Sequence, residues 1–150
     1  MKFWVVVFAL FLAYLGYEQY DVAAREIPSV QHEVSDAETL QNAALKRAFE
    51  QRQSKLLVQG EGRVTRLLKD DNEGSRHQRF ILQVNPQQTI LIAHNIDLAP
   101  RIDSLAEGDI VTFSGQYEWN NKGGVVHWTH HDPQGRHPGG WLKHHGKTYE

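Results

Sequence analysis

A chain of 150 residues has room for one domain, and without cysteine it can hold neither disulfides nor a thiol-dependent site. Residues 54 to 150 carry 11 Lys and Arg against 11 Asp and Glu, which leaves no strong basic patch for nucleic acid. Eight of the nine histidines fall in the same region, so mild acid would turn it positive.

Lys2 precedes an uncharged apolar run over residues 3 to 17, the pattern of an export signal. The run is shorter than the ~20 residues of a spanning helix. Cleavage at the small residues Val22-Ala23-Ala24 makes residues 1–24 a signal peptide. The polar Glu18-Gln19-Tyr20-Asp21 stands between the run and that site, so a retained signal-anchor is the alternative. In both cases the positive-inside bias predicts that the remainder is exported. It would be periplasmic or secreted, and attached to the inner membrane only if this segment is kept.

Residues 25–53 read as a linker containing Pro28, followed by a helix. Ser35-Asp36-Ala37-Glu38 is a capping box, and Leu40, Ala44, Leu45, Ala48 and Phe49 follow at helical spacing. The spacing predicts an amphipathic helix over 36–52, with an apolar stripe modest enough to pack on the domain surface.

From residue 54 the period becomes strand-like. The first strand is predicted over 56–68, with Gly60 and Gly62 marking a bulge or bend. The second runs over 76–84, the third over 89–95. The connection 96–107 has room for a short helix. A fourth strand follows Gly108-Asp109, with Val111, Phe113, Tyr117 and Trp119 on one face. Asn120-Asn121-Lys122-Gly123-Gly124 is a hairpin loop, and a fifth strand covers 125–130. The His- and Gly-rich tail from 132 to 150 reads as irregular. The fold class is therefore mainly β: a small five-stranded OB-like barrel over 54–150, preceded by one helix and an apolar export segment. A different small barrel or a two-sheet sandwich is the alternative.

Arg76-His77-Gln78-Arg79-Phe80, the string from His94 through Asn95-Ile96-Asp97-Leu98-Ala99-Pro100-Arg101 to Ile102, Tyr117-Glu118-Trp119-Asn120, and the string from Gly123 to Pro133 are long and specific. With His137 and Gly140-Trp141, they resemble a bacterial family of exported proteins with a domain of unknown function. The resemblance covers about residues 56 to 149 and implies no particular activity.

His127-Trp128-Thr129-His130-His131-Asp132 is the most unusual string. In a strand its histidines alternate faces, so they share one ligand set only if the strand ends or bulges near His130. His94, His127, His130, His131, Asp132 and His137 are the candidate metal ligands, for a divalent ion such as zinc. No established spacing such as H-E-x-x-H supports them. The plainer reading is that these histidines bond backbone and carboxylates around the tail.

Arg76, His77, Arg79, Asn95, Arg101 and Trp141 are the candidate ligand-binding residues, since arginine forks suit phosphate or carboxylate. Asp97 and Glu118 are the candidate catalytic bases. Ordinary ion pairs with Asp97, Asp103 and Glu118 would account for the same arginines. Three functions follow: a binding module for a small or oligomeric ligand, a metal-dependent hydrolase of phosphodiesterase type, and a structural envelope protein.

Overall fold

The computed structural model describes residues 42–150; the export segment, the linker and the capping box lie outside the described residues. Helix α1 covers residues 42–50 of what is described. Seven strands follow: β1 (Leu56–Leu67), β2 (His77–Asn85), β3 (Gln88–Asn95), β4 (Ile110–Glu118), β5 (Val125–His127), β6 (Trp141–His144) and β7 (Lys147–Tyr149).

Alternation of apolar and polar residues sets which way each strand faces. Val58, Val64, Phe80, Leu82, Val84, Ile90, Ile92, Val111, Phe113, Tyr117 and Val126 all turn inward to one core. β1 is long enough to serve two partners. Its first part pairs with β4 and its last part with β2, changing over at Arg63, with an irregularity between Val64 and Arg66. The paired glycines thus precede the irregularity by a few residues.

The sheet order β1-β2-β3-β5-β4, closed by β1 on β4, makes a five-stranded barrel. β3 and β5 run parallel, while every other pair is antiparallel. The OB-like barrel is therefore the architecture, and closure removes the sandwich alternative.

Three expectations are corrected. The helix does not merely cover the surface: Leu45 and Ala48 are core residues. Gly60 permits this approach, because a Cβ there would lie 2.8 Å from both Asn42 Oδ1 and the Phe113 ring. Asn42 Nδ2 donates to the Val84 carbonyl at 2.8 Å and the Glu61 carbonyl at 3.2 Å. At the other end of α1, Trp119 Nε1 donates to the Phe49 carbonyl at 3.0 Å.

The connection after β3 holds no helix. Its backbone is strapped to the barrel by the buried Gln78 amide, which donates to the Ile102 carbonyl and accepts the Ile102 amide, both at 2.9 Å. Ile102 and Leu105 are thereby held in the core.

The tail is not all irregular. β6 pairs with β4, β7 pairs with β6, and Leu142 and Tyr149 extend the core. Their two-residue turn, His145-Gly146, has positive φ at both positions (48° and 75°), the type I′ geometry that suits the twist of a hairpin. Among the described residues, no helix is long and apolar enough to cross a membrane.

Candidate functional site

β5 ends earlier than its sequence suggests, at His127, because Trp128 takes a left-handed φ of 54°. That turn breaks the strand alternation. Thr129 and His130 are both buried, and His131 is exposed. The chain then folds around Asp132, whose carboxylate accepts the amides of Gln134 (2.9 Å), Arg136 and His137 (3.0 Å). These amides, the Gln134 amide foremost, hold Asp132 below the ordinary carboxylate pKa. The amide of Gly140 donates to the His130 carbonyl at 3.0 Å and returns the chain to the barrel.

Two cavities open on the outer side of β2, β3 and β5. The larger, about 510 Å³, has His77, Asn95, Leu98, Trp128, His130, Arg136 and His137 in its lining. The second, about 430 Å³, has Arg79, Leu91, Ala93 and Glu118 in its lining. His77 and His127 line both, so the two cavities adjoin at these rings and together are called the groove.

The histidine tautomers follow from the partners. A carbonyl can only accept, so a ring nitrogen beside one must donate. His77 Nδ1 lies 2.8 Å from the Ser75 carbonyl, His130 Nδ1 2.7 Å from that of His131, and His137 Nδ1 2.9 Å from that of Pro138. In each neutral ring Nε2 is then the nitrogen without a proton, and that of His137 lies 3.8 Å from Asp132 Oδ2. His127 Nε2 is buried without a hydrogen-bond partner, with the nearest Glu118 oxygen at 3.9 Å. Burial lowers the His127 pKa, and Glu118 only partly opposes it. Trp128 stacks on His137 with centroids 4.0 Å apart, and His137 meets His130 edge-on at 5.3 Å.

The other candidates separate. His94 is fully buried beneath the groove. Its Nε2–H donates to the Pro100 carbonyl at 3.2 Å, and its Nδ1 accepts the Thr129 hydroxyl at 2.8 Å. Arg76 pairs with Asp97 at 2.7 Å, and Arg101 with Asp70 and Asp103 at 3.0 and 3.1 Å. The Arg76 amide, then its guanidinium, hold the Asp97 pKa down, which makes Asp97 a weak base.

Arg79 lines the groove, but its guanidinium is bonded to the Lys69 carbonyl. Asn95 also lines it, with Oδ1 accepting the Asp97 amide at 2.9 Å. Glu118 faces the groove and accepts Gln116 Nε2 at 2.7 Å. Trp141 lies on β6 under the Lys143 ammonium, in neither cavity wall.

The six predicted metal ligands are not gathered to ligand distance. Among the described residues, three such side chains converge in one place only, and it involves none of them: Asp109, His144 and His145. Sequence reasoning also missed Ser75, Leu98 and Arg136 as lining residues. Asp132 followed by Pro133 and Gly135 was the available signal for a tight turn that would carry Arg136 and His137 back to the groove.

Residues 30–150 match the family described as protein of unknown function, DUF3465. The chain belongs to that family. No curated protein matches it. The DUF3465 match takes in α1, all seven strands and both cavities, so the groove is built wholly within the family's span.

Burial lowers His94 from 6.5 to about 4. As pH falls, the unfolded chain takes up this proton first. The contribution to stability is complete above pH 6.5 and is lost between 6.5 and about 4, worth up to ~3 kcal/mol. Urea unfolding of the full-length protein at pH 7 and pH 4 is expected to show a loss larger, by an amount of that order, in the wild type than in His94→Gln. Equal losses in the two proteins would contradict the assignment.

Proposed function

We propose that this DUF3465 protein is a binding module whose groove takes a small, uncharged ligand rich in hydrogen-bond donors, a saccharide unit being the simplest chemistry that fits. One observation carries the reading. His77, His130 and His137 each tie Nδ1–H to a backbone carbonyl, which leaves Nε2 of neutral His77 and His130 as acceptors for a ligand, while His137 Nε2 lies 3.8 Å from Asp132 Oδ2. Glu118 adds a carboxylate in the second cavity, and Trp128, whose ring stacks on His137, adds apolar surface in the larger one. Hydroxyl donors satisfy such acceptors, and the C–H face of a sugar ring covers an aromatic side chain. Arg76, Arg79 and Arg101, expected to hold an anion, are engaged by Asp97, Asp70, Asp103 and the Lys69 carbonyl, which removes these three as holders of a phosphate ligand.

A metal-dependent hydrolase is the second reading. The same Nδ1–H to carbonyl bonds orient histidines that ligate metals. Its weakness is that no three ligand atoms converge in the groove. Thermal-shift titration of the full-length protein with mono- and disaccharides separates the two. A rise in Tm with at least one sugar, abolished in Trp128→Ala and His127→Ala, is the expected result. Silence towards every sugar would reject the first reading. A Tm rise with zinc that disappears in a His127→Ala, His130→Ala double variant would favour the second.

We further propose that the domain works outside the cytoplasm, on the strength of Lys2 and the uncharged run that follows it. Alkaline phosphatase fused after residue 41 is expected to be active in cells. An inactive fusion, made in normal amount, would exclude export.

A further inference from the structure

A second site lies on the outer side of β4 and the β6–β7 hairpin. Its lining shares no residue with the groove. Asp109 ends the turn before β4, His144 ends β6, and His145 is the first residue of the type I′ turn. Asp109 Oδ2 accepts the Ala106 amide at 2.8 Å and His144 Nε2–H at 2.8 Å. His145 stacks on His144 with ring centroids 3.9 Å apart.

We propose that Asp109, His144 and His145 form a binding site for a divalent first-row transition-metal ion of the zinc class.

Three observations converge. One donor atom from each of the three side chains lies within 4.8 Å of the others, as ligands of a single ion must. The mixture of imidazole and carboxylate is the donor set such ions take. The His144 side chain is 1% exposed and its Nε2 faces Asp109 Oδ2 at 2.8 Å, so an ion can take the place of the Nε2 proton while the partnerless Nδ1 carries it.

The turn adds a further argument. Asn, Asp or Gly is the preferred residue at the first position of a type I′ turn. His145 occupies that left-handed position at φ 48°, where its ring stacks on His144 and lies in reach of the Asp109 charge. The nearby ammonium groups are turned onto aromatic faces, Lys143 over Trp141 at 4.5 Å and Lys147 over Tyr149 at 4.7 Å. His144 and His145 border a cavity of about 340 Å³ with Glu61, Thr112 and Lys143 also in its wall. Three protein ligands and an open side match a site that keeps a position for water or a ligand rather than a closed structural one.

The test is calorimetric titration of untagged, chelator-treated full-length protein with zinc chloride. Wild type is compared with His145→Asn and with the groove variant His127→Ala, His130→Ala. Asn suits the left-handed turn, so His145→Asn is expected to fold with an equal or higher Tm in the absence of metal. One equivalent of zinc is expected to bind wild type and the groove variant alike, and at least tenfold more weakly to His145→Asn. Unchanged affinity in His145→Asn would overturn the proposal. So would zinc binding lost only in the groove variant, or no binding by wild type at micromolar zinc.

Discussion

The buried ring of His94 holds together the three segments that make the groove. It stands on β3, donates to Pro100 in the connection that follows, and accepts from Thr129 just beyond β5. Replace the ring by a group that bonds on one side only, and either the connection or the tail loses its tie to the barrel. An imidazole bridges both because its two nitrogens take opposite roles, and burial keeps it neutral so that they can. The histidine whose side chain is most deeply enclosed near the groove is thus a part of the frame.

From that frame the chemistry of the groove follows. Thr129 is fixed, so the chain must turn at Trp128, which takes the left-handed conformation. That turn ends β5 and brings His127, Trp128 and His130 to one wall instead of alternating faces. Asp132 then gathers three amides and brings His137 back onto Trp128. The groove histidines differ from His94 in one respect that sets their use. In His77, His130 and His137 the Nδ1–H is engaged by a carbonyl, which in His77 and His130 leaves Nε2 to whatever enters.

Much of the barrel was legible in the sequence because strand alternation reports burial directly. Val111, Phe113 and Tyr117 face inward as their spacing predicts, and His77 and Arg79 lie opposite Phe80 and Leu82. The tail was not legible in that way. β6 and β7 are four and three residues long, too short for a period, and His145-Gly146 stands where Asn-Gly would have announced a hairpin. The helix's role was hidden too, since Gly60 reads as a strand defect until Asn42 is seen against it. For the site, the concentration of histidines was visible, but their sorting was not. Sequence cannot say which imidazole is enclosed by Thr129 and Pro100, nor that Arg76 and Arg101 find Asp97 and Asp70.

The most direct measurement is the tautomer of each ring, read from long-range ¹⁵N–¹H correlation spectra of the histidines in the full-length protein at pH 8. His77, His130 and His137 are predicted to carry the proton on Nδ1, and His94 to carry it on Nε2. Nε2–H in the three groove rings would remove the acceptors on which the binding reading rests. Nδ1–H in His94 would mean that its ring does not join Pro100 to Thr129.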